Sequence, residues 1–326
     1  MRHATLLLFL LCGGCTLDSV SPIIGPIERG CPNYDNEFGC PGGGGQVSFR
    51  REGVGVGVVN GLVYAIGGQY ISSTWFSQYT TVASVEAYDP VTTTWATRAP
   101  MPTPRDGLGV GAVNGIVYVV GGEDPSYNSL TTVEAYDPVT NSWTTKAPMP
   151  TPRHGLVVAV VNGVLYAIGG RGRDDAETTT VEAYDAVTNT WTSKAPMPTP
   201  RARAGVGVVN GVLYVAGGES TYRPLATVEA YDPAANSWAT QAPMPTPRFS
   251  LGVGVVNGVL YALGGDNGTD YLMTVESYDP GTNNWTTRRP MTPSRGPLSV
   301  GVVSGVLYAV GGFSFSSSTA LEAYEP

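Results

Sequence analysis

The side chains able to do chemistry are few, and most of them sit at matched positions along the chain. His154 is the one histidine beyond His3, and Glu123, Glu219 and Asp266 recur as carboxylates with Arg171 and Arg203 as cations. A carboxylate of raised pKa beside Arg203 would suffice for proton transfer on a sugar. A Ser-His-Asp triad would have to use His154, yet no Gly-x-Ser-x-Gly elbow accompanies it, so this histidine also reads as a solvated loop residue. The run Asp266-Asn267-Gly268-Thr269-Asp270 lacks the further ligands and terminal glutamate of a calcium loop and reads as a plain turn. Neither a metal nor a cofactor is expected.

The elements that position these groups follow from a repeat. Gly-Gly pairs begin at Gly67, Gly121, Gly169, Gly217, Gly264 and Gly311, in steps of 54, 48, 48, 47 and 47 residues. A period in this range signals the blades of a ring. In the third unit the apolar run Val157 to Val161 ends at Asn162-Gly163, the pair preferred in a tight hairpin turn. A second strand, Val164 to Ile168, stops at Gly169-Gly170, where residues without Cβ allow a positive φ. The third strand is Thr180 to Tyr184, and the fourth starts at Trp191 and fades into the proline-rich run Ala195 to Pro200. Prolines cannot donate to a ladder and suit an exposed outer edge.

The recurring apolar strand, Tyr-x-x-Gly-Gly strand, Val-Glu-x-Tyr-Asp-Pro strand and Trp strand resemble the kelch repeat over residues 51–326. The resemblance implies an all-β fold, a six-bladed β-propeller of four-stranded antiparallel blades. The sixth unit ends at Pro326 without a Trp strand, so a strand near 46–49 (Gln46-Val47-Ser48-Phe49) is expected to close the last blade.

Residues that recur in register belong to the scaffold. Tyr166 and Tyr184 with their equivalents are expected in the core, and Trp191 with its equivalents between blades. Six arginines (51, 105, 153, 201, 248, 295) match six glutamates (86, 134, 182, 229, 276, 322), as paired charges tying blades together or, less economically, as a charged binding ring.

What departs from register is concentrated at one end. In an up-and-down sheet the loops from second to third strand and from fourth to first emerge on the same face. That face gathers the aromatics Trp75, Phe76, Tyr127, Tyr222, Tyr271 and Phe313, and the residues Glu123, Arg171, Glu219 and Asp266 that follow the glycine pairs. His154, Phe249 and Arg203 join them from the segments before the first strands. Such a mixture suits stacking on sugar rings or gripping a peptide. In kelch-type adaptors the second arginine of an Arg-x-Arg motif at this point contacts a bound peptide, which here implies Arg203 of Arg201-Ala202-Arg203. The resemblance also covers copper-radical oxidases and a sialic-acid mutarotase. The oxidase site needs two histidines and a Tyr-Cys crosslink, whereas residues 51–326 hold only His154 and no cysteine. The expected function is non-catalytic binding of protein or glycan by a monomer, with a carbohydrate epimerase or mutarotase as the alternative.

Residues 1–14 carry a basic start and the apolar run Ala4 to Leu11, too short to span a bilayer, and read as a signal peptide for export. Cys12-Gly13-Gly14-Cys15 resembles the lipobox of bacterial lipoproteins, although Cys12 stands where leucine is preferred. The resemblance implies acylation at Cys15, a lipid anchor in the membrane and an outer-membrane or cell-surface location, against a periplasmic or secreted one. Residues 15–50 form a Gly/Pro-rich segment in which Cys31 and Cys40 form a small disulfide loop or remain free thiols. Without residues 1–14 the charge is 17 − 26 = −9, and nucleic acid is excluded as a partner by this acidity and the scarcity of lysine.

Overall fold

The computed structural model describes residues 51–71, 79–312 and 321–326. They form six antiparallel blade sheets arranged as a ring, five of them four-stranded, and two short two-stranded ribbons. The third is representative: Val157–Val161, Val164–Ile168, Val181–Asp185 and Thr190–Ser193 pair in that order, with Val157 opposite Ile168 and Tyr184 opposite Leu165 and Trp191.

Local chemistry sets each boundary. Asn162 and Gly163 turn the first hairpin with φ of 49° and 78°, the left-handed pair a two-residue turn requires. Asp185 ends the third strand by accepting the amides of Val187 and Thr188 at 2.8 and 3.2 Å. Trp191 then stacks on Tyr184 at 5.1 Å, and its Nε1 donates to Ala147 O of the preceding blade at 2.9 Å. The outer strands are thus stitched sideways as well as inward.

No blade has a core of its own. Each apolar cluster straddles a seam, as where Tyr118 and Val120 of the second blade meet Leu165 and Tyr184 of the third. Burial therefore requires neighbours, the defining property of a repeat array. Arg153 holds the same seam: its amide donates to Leu130 O at 3.1 Å and its carbonyl accepts from Gly122 at 2.9 Å, both in the preceding blade. Its side chain turns to its own blade, pairing with Glu182 at 2.8 Å and donating to Gly169 O, with both partners almost fully buried. The matched charges are therefore structural ties.

The glycine pairs fit this seam. A Cβ on Gly169 would come within 2.6 Å of Arg201 O, and one on Gly170 within 2.7 Å of His154 O. The ring closes on itself. Gly312 donates to Arg51 O at 3.1 Å, Ser299 Oγ to Val54 O at 2.8 Å, and Tyr88 packs on Tyr308 at 5.8 Å.

Three strands of the sixth sheet are described: Ser299–Val303, Val306–Val310 and Leu321–Tyr324. Glu322 there is 14% exposed, against 3% for Glu182, and approaches Arg295 through Nε at 3.4 Å. The expected closing strand at 46–49 lies outside the described residues, as do Cys15, Cys31 and Cys40.

Candidate functional site

At one end of the ring, in the first five blades, the residue after the matched arginine pairs with the residue after the glycine pair. These isolated bridges join Glu52 to Gln69, Asp106 to Glu123, His154 to Arg171, Ala202 to Glu219 and Phe249 to Asp266. Two sets of residues that the sequence lists separately thus form one layer around the axis.

One residue further along lies an inner circuit. The amide of Gly107 donates to Gly53 O, Gly155 to Gly107 O, Arg203 to Gly155 O and Ser250 to Arg203 O, over 2.7 to 3.1 Å. Leu298 continues it to Ser250 O at 3.3 Å, because Pro297 has no amide hydrogen to give. All five positions from Gly53 to Ser250 are left-handed, with φ from 52° to 62°. Three carry glycine; Arg203 does not.

Arg203 is 47% exposed at its side chain and stands 3.3 Å from the buried carboxylate of Glu219. Its charge is felt by Glu52, Asp106, Glu123 and His154, so the irregular residues of the three preceding blades converge on it. Burial pushes the Asp106 carboxyl up to about 6, with repulsion from Glu123 adding to the shift and Arg203 opposing it. Burial likewise raises Glu52, Glu123 and Glu219.

His154 is not the solvated loop residue its sequence position suggests. Its Nδ1 lies 2.9 Å from Ser129 Oγ, its Nε2 lies 3.6 Å from Asp175, and burial lowers its pKa, leaving a neutral imidazole at pH 7.

Arg171 is also drawn inward. Its guanidinium meets Glu177 and Glu219 at 3.1 Å and Asp175 at 3.4 Å, beneath the Tyr222 ring at 4.5 Å. Burial works against its charge, but the three acids outweigh it and raise its pKa. Tyr222 donates to Asp175 at 2.8 Å, which keeps an exposed ring in place over the cation.

Across the opening, Tyr271 bridges to Asp266 and lies over Gly296, where a methyl group would come within 3.1 Å of its ring. Burial raises its phenol, with Glu52 and Asp266 adding to the effect. Phe249 is half-buried beside Asp266, and Tyr127 stands at an exposed loop tip. Trp75, Phe76 and Phe313 lie outside the described residues. The run from Asp266 forms a turn, with Asp266 accepting from Gly268 and Asn267 from Thr269 and Asp270. Among the described residues no three His, Cys, Asp or Glu side chains converge to hold a metal.

Sequence reasoning left Glu52, Asp106, Ser129, Asp175 and Glu177 out of the site. The first two had a signal, since they share the register of His154. Ser129 and Glu177 had one too, since each stands eight residues after the start of a glycine pair and bridges back to Glu123 or Arg171, while Asp175 holds the place of Tyr127 in the second blade.

The KLHDC2/KLHL20/DRC7 Kelch-repeats domain matches residues 144–312, and the Kelch motif matches 50–102 and 104–150. The chain belongs to the kelch-repeat family. Within it, Kelch-like ECH-associated protein 1A of Danio rerio is 39% identical over 82 residues, covering 25% of this chain and 13% of that protein. The Influenza virus NS1A-binding protein homolog of Mus musculus is 35% identical over 78 residues, 24% of this chain and 11% of that protein. This kelch chain therefore spans only a small part of those relatives. A solved structure titled "Structure of YjhT" superposes with a TM-score of 0.73 at 18% identity, covering 85% of this chain and 95% of the other, and shares the fold.

Proposed function

We propose that this kelch propeller is a non-catalytic binding module whose axial mouth grips a protein or glycan ligand at a bacterial cell envelope. One observation carries the reading. A scaffold of near-identical blades brings Glu52, Asp106, Glu123, His154 and Glu219, which obey no repeat, to within electrostatic reach of Arg203. Kelch relatives named for what they bind, such as the mouse NS1A-binding protein homolog, support protein as the ligand class. Exposed Tyr127 and Tyr222 on the same rim add aromatic faces for either class. Envelope location rests on residues 1–15, where an apolar run precedes Gly13-Gly14-Cys15.

The test is a screen of glycans and envelope proteins, repeated with Arg203→Ala and Tyr271→Ala. Altered capture in both variants, weaker or tighter, supports the mouth; capture indifferent to both removes it. Acylation is checked separately: Cys15→Ser is expected to leave the protein unlabelled by fatty acid and soluble, and membrane retention of that variant contradicts the anchor.

A second reading, sugar epimerisation or mutarotation, is favoured by Asp106 alone. A carboxyl titrating at about 6 beside Arg203 is matched to proton transfer near neutral pH. Polarimetry of reducing sugars with and without the protein separates the two readings.

A further inference from the structure

Among the described residues the charges around the axis do not balance. Glu52, Asp106, Glu123, Glu219 and Asp266 line the paired layer, against the guanidinium groups of Arg171 and Arg203. Arg171 is already shared among three acids under Tyr222, and His154 is neutral. Arg203 is left to answer the remaining carboxylates from a single tethered position.

That position is itself unusual. Gly53, Gly107 and Gly155 hold the equivalent left-handed backbone in three blades, a conformation that disfavours any L side chain. A second irregularity lies beneath. Glu219 Oε1 is shut off from solvent and accepts no hydrogen bond, although Arg171 Nη2 and Arg203 Nη1 stand 3.1 and 3.3 Å away. A donor approaching along the axis and moving Arg203 aside would reach a buried acceptor with unused capacity. Opposite stands the ring of Tyr271, within the field of Glu52 and Asp266.

We propose that the mouth takes a cationic group, the guanidinium or ammonium of a basic peptide, which displaces Arg203 from the carboxylates and lies against Tyr271. Arg203 is then a built-in occupant of the ligand's place. An anionic ligand would have to enter among the carboxylates to reach a guanidinium already paired with Glu219. A cation gains ion pairs on entry and an aromatic face beside them. This assignment rests on the mouth being the binding site and narrows its ligand class.

Fluorescence anisotropy with labelled Gly-Ser peptides carrying central arginine, lysine, glutamine or glutamate residues tests it on the full chain. The arginine and lysine peptides are expected to bind, and the glutamate peptide to fail. Arg203→Gly, which suits the left-handed backbone, is expected to tighten the basic peptides about tenfold, and Asp106→Asn to weaken them by about the same factor. Thermal melts identify any variant that has lost its fold; Glu52→Gln then stands in, with weakening expected. Binding of the glutamate peptide that is lost in Arg203→Gly overturns the cationic assignment and leaves the mouth as the site. Binding of basic peptides indifferent to all these variants removes the mouth itself. Failure of all the peptides to bind overturns the assignment of a basic peptide.

Discussion

The amide of Gly312 donates to the carbonyl of Arg51 at 3.1 Å, while the guanidinium of Arg51 pairs with Glu86 in the first blade. One residue thus receives the last blade through its backbone and grips the first through its side chain. The same arrangement recurs at Arg105, Arg153, Arg201 and Arg248, so the ring is held by one repeated joint.

The glycine pairs tolerate substitution far less than the hairpin glycines. Gly163→Ala faces no atom within 4 Å and is expected to cost roughly 1–2 kcal/mol, the strain of a left-handed alanine. Gly170→Ala adds a 2.7 Å contact with His154 O to the same strain and is expected to exceed ~3 kcal/mol. Urea denaturation of the two variants measures the difference; equal losses would sink the account.

Glu182→Gln leaves the Arg153 guanidinium charged, buried and short of its counter-ion. Breaking such a pair costs about 3–5 kcal/mol. The midpoint of denaturant unfolding is expected to fall accordingly, and an unchanged midpoint would show that the pair does not hold Arg153 in its blade.

Trp191→Phe keeps the contact with Tyr184 but loses the bond to Ala147 O. The expected cost is about 1 kcal/mol, with greater loss in Trp191→Ala, where the stacked ring is lost as well. Amide exchange along Thr190–Ser193 is expected to accelerate in both variants.

Asp106 makes stability depend on pH. Its carboxyl titrates at about 6 in the fold against an ordinary value of 3.8, so between these values the folded state holds a proton that the unfolded chain has released. Stability therefore falls as pH rises from about 4 to about 6 and stays lowered above. Asp106→Asn is expected to raise stability at pH 7.5 by roughly 1–2 kcal/mol, after discounting for partial solvent access, with no gain at pH 4. Glu123 and Arg203 share this environment, so the measured midpoint belongs to the group. A gain independent of pH would refute the assignment.

The scaffold was legible because its determinants are local and repeated. Val157–Val161 and Val164–Ile168 lie where Asn162-Gly163 and Gly169-Gly170 place them, and Trp191 packs between blades as its register suggests. The mouth was legible only in part. Arg203, His154 and Glu219 stood out by breaking the repeat, yet the descent of Arg171 beneath Tyr222 depends on Asp175 and Glu177, which fill the places that Tyr127 and Ser129 hold in the matching loop of the second blade. His154 was misjudged because its partner Ser129 comes from a different blade, and sequence distance hides that contact.

The inner circuit of amides runs tangentially, each pointing at the carbonyl of the blade before it. Dipoles laid head to tail around a loop cancel, unlike those stacked along a helix, which sum to a charge at each end. The circuit therefore gives the opening no pole like that of a helix end. Whatever sign this protein presents to a visitor is written in its side chains, and exchanging one of them can rewrite it without unfastening the hoop beneath.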